Sequence, residues 1–144
     1  MRLRTRRDYR IRRHRRVRRR IAGSAQRLRM SIMCSLKHIY VQFIDDDRGV
    51  TVAAASTLGG GQPKNVATAR ELGRRAAEAA KRRGVTRVVV DRGGHRYHGR
   101  VKALIEAATE SGLVIRSAAG HRAGGAEAAA ERPQSGGRGG KEES

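Results

Sequence analysis

A ten-residue segment in the second half of the chain combines glycine, arginine, histidine and tyrosine, and runs Asp91-Arg-Gly-Gly-His-Arg-Tyr-His-Gly-Arg100. It follows an apolar run that predicts a strand and precedes an amphipathic pattern that predicts a helix. Glycines allow a backbone to approach a ligand closely, and the N-terminus of a helix attracts anions. Interleaved cations and flat rings suit the phosphates and unpaired bases of folded RNA. The segment therefore predicts an RNA-binding loop, which we call the glycine loop, at the carboxyl end of a strand.

Enzymatic interpretations of the same loop are less consistent with the residue pattern. The loop lacks the glycine spacing of a dinucleotide site and the Gly-Lys-Ser/Thr of a P-loop. His95, His98 and Asp91, near an acidic cluster, could form a metal nuclease. However, the cluster at residues 45–47 more simply builds a hairpin turn, and Asp91 more simply ties down the glycine loop by side-chain hydrogen bonds. Because Cys34 is the sole cysteine and the histidines lack a third ligand, zinc is disfavoured. We expect no catalytic residue, metal or cofactor.

The second candidate is an arginine-rich arm at the amino end. Residues 1–29 carry 14 arginines and one acid, whereas the whole chain has a net charge of +20. A like-charged block this dense requires counterions, and arginine forms bidentate contacts with phosphate. Residues 1–22 contain few apolar side chains, so we expect them to become ordered only on a partner. Charge and composition predict that this partner is a nucleic acid.

The third candidate is Ser35-Leu-Lys-His-Ile-Tyr40, at the turn from the first predicted strand into the second. Lys37, His38 and Tyr40 could present one charge and two rings on an edge of the sheet. Alternatively, His38, Tyr40 and Gln42 form the outward face of a half-buried strand. Periodicity alone leaves both interpretations open.

Hydrophobic patterning predicts the strands that position these three segments. Apolar residues alternate with polar ones from Leu28 to Cys34, with Cys34 facing the core. Residues 37–44 and 50–56 are rich in strand-forming residues, so three strands in an antiparallel meander are expected. The short apolar run at residues 87–91 predicts an interior strand parallel to a neighbour, and residues 113–116 predict the last strand.

Two helices are predicted between these strands. The first helix has an apolar stripe and ends at Gly84 as a left-handed cap. Its stripe comprises Val66, Ala69, Leu72, Ala76 and Ala80. The second helix ends at Gly112. Its stripe comprises Val101, Leu104, Ile105 and Ala108.

The element order βββαβαβ predicts a single α/β domain with a mixed sheet of about five strands. We assign residues 24–116 to this domain and residues 1–23 to the arm. Residues 117–144 are rich in alanine, glycine and glutamate, and we expect them to be a disordered extension. One cysteine excludes an intramolecular disulfide, and the chain has neither a long apolar run nor the apolar core of a secretory signal. We therefore expect a soluble protein of a reducing compartment, with no membrane or small-molecule partner.

Four segments of the chain are similar to segments of one known family and occur in the same order. They are Lys37-His-Ile-Tyr-Val-Gln-Phe-Ile-Asp-Asp46, Val50-Thr-Val-Ala-Ala-Ala-Ser-Thr-Leu58, Lys64-Asn-Val66 and Val89-Val-Asp-Arg-Gly-Gly-His-Arg-Tyr-His-Gly-Arg-Val-Lys-Ala103. Together they resemble the bacterial large-subunit ribosomal protein eighteen, which binds 5S rRNA, over residues from about 12 to 115. The family usually has an aromatic residue, arginine, serine and asparagine where Met33, Cys34, Ser35 and Leu36 stand here. It also commonly has proline at the place of Leu28, and it usually ends shortly after the last strand.

This resemblance implies a fold related to the ribonuclease-H-like scaffold without its catalytic acids. It implies no enzymatic activity, a location on the cytoplasmic ribosome in the central protuberance of the large subunit, and contacts to 5S rRNA, 23S rRNA and neighbouring 5S-associated proteins. The RNA contacts that it implies are Arg12, Arg13, Arg15, Arg16, Arg18, Arg19, Arg20, Arg27, Arg29, Lys37, His38, Tyr40, Arg92, Gly93, Gly94, His95, Arg96, Tyr97, His98, Gly99 and Arg100. The alternative is a basic protein that compacts nucleic acid without sequence preference.

Overall fold

The computed structural model describes residues 5–116, so the predicted extension at residues 117–144 lies outside the described residues. The helices are α1 (Arg6–Arg18), α2 (Val66–Arg82) and α3 (Gly99–Glu110), and the strands are β1 (Leu28–Cys34), β2 (Ile39–Asp45), β3 (Val50–Ser56), β4 (Arg87–Asp91) and β5 (Val114–Arg116). The predicted order βββαβαβ is confirmed, with α1 added before it. None of the helices within residues 5–116 is long and apolar enough to cross a membrane.

The five strands form one mixed sheet in the order β3-β2-β1-β4-β5. The pairs β1–β2 and β2–β3 are antiparallel, which confirms the predicted meander. Strand β4 is parallel to both β1 and β5, which confirms its predicted interior position. Because Leu28 pairs with Val88 and Ser31 with Asp91, β1 and β4 run towards the same edge of the sheet. The hairpin after β1 and the loop after β4 therefore leave from neighbouring positions.

The core forms where α2 and α3 pack together against apolar side chains of the sheet. Met30, Val41 and Phe43 are fully buried there. At Gly73 of α2, a Cβ atom would lie 2.3 Å from the carbonyl oxygen of Leu104, so only glycine permits this approach of the two helices. The predicted stripe of α2 is buried except for its first member: Val66 lies in the first turn and is 46% exposed. The predicted left-handed cap is present at Gly84, with a φ of 75°, and Gly112, which was predicted to end the second helix, also has a positive φ, of 97°.

Helix α1 departs from the expectation that the arm becomes ordered only on a partner. It begins with a capping box, in which Asp8 N donates to Thr5 Oγ1 over 3.2 Å and Thr5 N donates to Asp8 Oδ2 over 3.0 Å. Arginines in its last turn complement the helix dipole. No α1 side chain is fully buried, which agrees with the small number of apolar residues in the arm. The prediction was wrong because capping and polar contacts with the domain order this helix without an apolar stripe.

Candidate nucleic-acid interface

Asp91, the last residue of β4, connects three parts of the molecule. Its side chain is fully buried, and Oδ1 accepts from the Gly93 amide over 3.0 Å. Oδ2 accepts from Nη1 of Arg29 over 3.0 Å and from Nε2 of His14 over 3.1 Å. The predicted tie between Asp91 and the glycine loop is thereby confirmed. The contacts with β1 and α1 were not predicted, since nothing in the local sequence indicates them.

The ionised form of Asp91 is stabilised by these partners. Burial alone would raise the pKa of this carboxyl, but the Gly93 amide, His14 and Arg29 together lower it below the ordinary value. Asp91 is therefore a carboxylate at neutral pH, and its oxygens accept hydrogen bonds from within the chain.

Arg29 lies in the interior, where it meets two carboxylates. It is 9% exposed, and besides Asp91 it binds Asp46 through two bonds, from Nε over 2.9 Å and from Nη2 over 3.0 Å. Burial by itself would lower the pKa of Arg29, but the two carboxylates raise it. A guanidinium engaged by two carboxylates has few donors left for a phosphate, so this position does not support the predicted RNA contact of Arg29, which stays a prediction. The alternation of β1 placed Arg29 on the face opposite Met30 but did not show that acids cover it.

In the acidic cluster at residues 45–47, Asp45 stabilises a turn and Asp46 forms an ion pair. Oδ1 of Asp45 accepts from the amides of Asp47 and Arg48 over 3.1 and 3.3 Å, which confirms the predicted hairpin turn. Asp46 instead accepts from Arg29 and, over 2.6 Å, from the amide of Gly23. The hydrogen bond from Arg29 is the main reason why the pKa of Asp46 is lowered.

Helix α1 packs directly on the glycine loop. Nε of Arg13 donates to the carbonyl oxygen of Gly94 over 3.2 Å. Gly94 has a φ of +81°, and a Cβ atom there would lie 2.7 Å from the carbonyl oxygen of Arg10. Glycine is therefore needed at this position both for the backbone conformation and for the close approach of the helix. As a result, the arm and the loop, which the sequence presented as separate candidates, adjoin each other.

A cleft of about 620 Å³ opens where these elements meet. Its walls come from α1, the β1–β2 hairpin, the segment before α2, the glycine loop and the first turn of α3. We call it the basic cleft, and it is lined by Arg10, Cys34, Ser35, Leu36, Lys64, His95, Arg96, His98, Arg100 and Val101. Among residues 5–116, no aspartate or glutamate belongs to this lining. Part of each of the three candidate segments thus contributes to one concave surface.

The electrostatics of the basic cleft are those of an anion site. Four of its lining residues, Arg10, Lys64, Arg96 and Arg100, are cations. The pKa of His95 is lowered from 6.5, first by burial and then by the charges of Arg10, Lys64 and Arg100, among others. His95 is consequently neutral at physiological pH. Like charges gathered without a carboxylate repel one another until an anion neutralises them.

Two lining residues, Arg10 and Lys64, were not among the individually predicted RNA contacts. Nζ of Lys64 donates to the carbonyl oxygen of Ser35, so it is held against the hairpin although 29 residues separate the two. Arg10 was an arm arginine outside the predicted set. The high arginine content of the arm was a signal for Arg10, whereas no local pattern distinguishes Lys64 from other surface lysines.

The remaining predicted contacts lie outside the lining of the basic cleft. Six of the arm arginines predicted as RNA contacts are exposed, namely Arg12, Arg13, Arg15, Arg16, Arg19 and Arg20. Arg18 is half-buried and donates to the carbonyl oxygen of Ile21 over 2.9 Å, and Arg27 is also half-buried. Nη1 of Arg92 bonds the carbonyl oxygen of His95 over 3.1 Å, within its own loop. Gly93, Tyr97 and Gly99 complete the loop without lining the cleft.

The third candidate, residues 35–40, joins the cleft through Ser35 and Leu36 and not through Lys37 or the two rings. The rings of His38 and Tyr40 meet edge to face with centroids 6.4 Å apart. Tyr40 pairs with Met33 across the hairpin and is half-buried, while Gln42 is exposed, as the strand-face interpretation expects. Lys37 is exposed. Ser35 and Leu36 line the cleft together with the adjoining Cys34.

The described part of the chain, residues 5–116, holds no group of three or more His, Cys, Asp or Glu side chains that could bind a metal ion. Fold and site together define the class: a small, basic α/β protein whose loops and first helix converge on a cation-lined cleft at the edge of a mixed sheet.

Comparison with known proteins identifies the family within this class. Residues 4–115 match the family of ribosomal L18 proteins of archaea, bacteria, mitochondria and chloroplasts, and the chain belongs to this family. It is 50% identical over 107 residues to the large ribosomal subunit protein uL18 of Syntrophomonas wolfei, covering 71% of this chain and 88% of that protein. It is 53% identical over 107 residues to uL18 of Lactobacillus delbrueckii subsp. bulgaricus, covering 72% of this chain and 90% of that protein.

Membership of this family confirms the predicted resemblance and the predicted location on the ribosome in the cytoplasm. It also confirms that the chain is a ribosomal protein.

Proposed function

We propose that this protein binds 5S rRNA and helps to attach it to 23S rRNA in the central protuberance of the large subunit. The observation that carries the proposal is the basic cleft, to which the arm, the hairpin and the glycine loop all contribute. Folded RNA offers what this surface lacks, because it presents closely spaced phosphates together with bases outside regular helices. The exposed arginines of α1 extend the same positive surface and are available to an adjacent segment of 23S rRNA.

The proposed role is structural and does not include catalysis. Hydrolysis of RNA by metal ions needs carboxylates that converge on one point and remain open to the metal. Asp91 and Asp46 would be the candidates for such carboxylates, but both already bind partners within the chain. Asp91 accepts hydrogen bonds from His14, Arg29 and Gly93, and Asp46 accepts them from Arg29 and Gly23. This arrangement supports a role in stabilising the scaffold. Incubation of labelled 5S rRNA with the protein and Mg²⁺ should therefore give no cleavage.

A gel-shift competition tests the RNA partner. Labelled 5S rRNA is bound by the full chain and challenged with unlabelled 5S rRNA, an unrelated structured RNA of equal length and duplex DNA of equal length. We expect only 5S rRNA to displace the label at low excess. Equal competition by all three nucleic acids would overturn the proposal in favour of a general compacting protein.

The exposed arm arginines are the feature that favours this second candidate, since they suit any polyanion. A double variant, Arg96→Ala with Arg100→Ala, separates the two functions because both residues line the cleft. A 5S rRNA binder should lose its preference for 5S rRNA over duplex DNA, whereas a compacting protein should lose affinity slightly and uniformly. Arg74→Ala with Arg75→Ala, exposed on α2, removes the same charge elsewhere and is the control.

A further inference from the structure

We infer that the basic cleft receives a single unstacked nucleotide of the bound RNA, with its phosphate among the cations and its base against the apolar wall. This inference rests on the proposed function and adds the mode of recognition to it. It separates contacts to the one nucleotide that enters the cleft from the general phosphate contacts of the arm.

The size and shape of the cleft favour one nucleotide over a helix. Its volume of about 620 Å³ lies within the range of roughly 300 to 1,000 Å³ that is typical of sites for compact ligands. A base-paired helix carries its phosphates on the outside and keeps its bases stacked, so it can cover such a cleft but cannot fill it. A nucleotide that has left the stack can enter with both its phosphate and its base.

The cations are placed to hold a phosphate. Arg10, Lys64, Arg96 and Arg100 come from four separate segments, and the described part of the chain places no acidic residue in the lining with them. The N-cap of α3, His98, makes no side-chain hydrogen bond to the first turn of that helix. The positive end of this 12-residue helix therefore adds to the potential of the four cations.

The apolar part of the lining is placed to hold a base. Leu36, Cys34 and Val101 line the cleft beside the cations. Leu36 is 96% exposed, so its side chain has no apolar cover within the described residues. His95 adds a flat ring that is neutral at physiological pH, because its pKa is lowered. Unstacked bases are commonly held between apolar or aromatic side chains of this kind.

Cys34 makes the inference testable, because it lines the cleft and is the only cysteine in the chain. The full chain is treated with iodoacetamide at mildly alkaline pH, and the alkylation rate of Cys34 is followed by intact mass. The rate is measured alone and with UMP, AMP, uridine or inorganic phosphate at constant ionic strength. We expect the mononucleotides to slow alkylation in a saturable way, and uridine or phosphate to do so only weakly.

Variants connect this protection to the cleft. Arg100→Gln should raise the mononucleotide concentration for half-protection about tenfold, the effect of losing one hydrogen bond to a charged group. Arg74→Gln, exposed on α2, should leave that concentration unchanged. Circular dichroism of both variants verifies that the domain is folded.

The outcomes separate this inference from the proposed function. If mononucleotides leave the alkylation rate unchanged while 5S rRNA still shifts in the gel, the inference fails and the proposed function stands. Equal protection by inorganic phosphate would reduce the cleft to a simple anion site, and equal protection by uridine would remove the role of the cations. Protection by mononucleotides without any binding of 5S rRNA would overturn RNA as the source of the nucleotide.

Discussion

Nε2 of His14 donates a hydrogen bond to Oδ2 of Asp91 over 3.1 Å, across 77 residues of sequence. The carboxylate is fully buried and the histidine side chain is 41% exposed, so the pair lies at the boundary between α1 and the sheet. Asp91 also binds the Gly93 amide. One carboxylate therefore positions the arm and the glycine loop relative to each other. The surface proposed to bind RNA is to this extent formed before RNA arrives.

Replacing His14 tests this coupling. In His14→Ala, Asp91 keeps Arg29 and Gly93, so we expect a loss of only about 1 kcal/mol in the free energy of unfolding, as for one side-chain hydrogen bond. The effect should be local, with faster hydrogen exchange in α1 and unchanged exchange in β1 and β4. Arg16→Ala, exposed on the same helix, is the control, and its α1 amides should exchange at the rate of the unsubstituted protein. Unchanged exchange of α1 in His14→Ala would show that the pair does not hold the helix.

Gly94 tests whether α1 must approach the loop closely. Gly94→Ala places a Cβ atom 2.7 Å from the Arg10 carbonyl oxygen at a φ of +81°, so α1 must move and the affinity for 5S rRNA should fall. Gly84→Ala is matched, because Gly84 has a φ of +75° and no atom within 4 Å of the added Cβ. It should show only the conformational cost of about 1–2 kcal/mol in urea unfolding, with RNA affinity preserved. Equal affinities for the two variants would contradict the packing described here.

The two carboxylates that bind Arg29 predict a loss of stability in acid. The pKa values of Asp46 and Asp91 are lowered in the folded protein, so below about pH 4 the unfolded chain binds protons before the folded one does. Their contribution to stability is complete above the unfolded pKa and is lost as the pH falls through the folded pKa. Urea unfolding over this range should show the decline, and Asp46→Asn should reduce its slope. Glu78→Gln, exposed on α2, is the surface control. An equal reduction of the slope in this variant would show that the ion pair between Asp46 and Arg29 is not its cause.

The exposed arm arginines predict the salt dependence of RNA binding. Four of them are changed to glutamine in one variant: Arg12, Arg15, Arg16 and Arg19. Each lost phosphate contact should lower the slope of log affinity against log salt by about 0.7 to 0.9. The matched control changes four exposed arginines of α2: Arg70, Arg74, Arg75 and Arg82. Filter binding of 5S rRNA at several salt concentrations measures both slopes, and equal slopes would exclude a special role for the arm.

Local patterns in the sequence determined most of the secondary structure. Alternation identified β1, the apolar run identified β4, and the stripes with their terminal glycines identified α2 and α3. These predictions succeeded because the period of burial depends on neighbours within a few residues. The basic character of the arm and loop was equally evident, since charge is a property of composition. Helix α1 could not be predicted from hydrophobic periodicity, because its order rests on a capping box and on contacts with a distant loop.

Tertiary structure alone decided which charged residues line the basic cleft and which bind each other. Arg29 lies in the first predicted strand and Arg100 at the end of the predicted loop, and both were predicted RNA contacts. In the folded chain Arg29 is bound by Asp46 and Asp91, whereas Arg100 lines the basic cleft. Lys64 joins the cleft through Ser35, and His14 meets Asp91, across long stretches of chain. Periodicity reports that a side chain lies on a given face, whereas its partner depends on the path of the backbone. The sequence by itself therefore determined a basic α/β domain, and the folded chain determined the shape of its site.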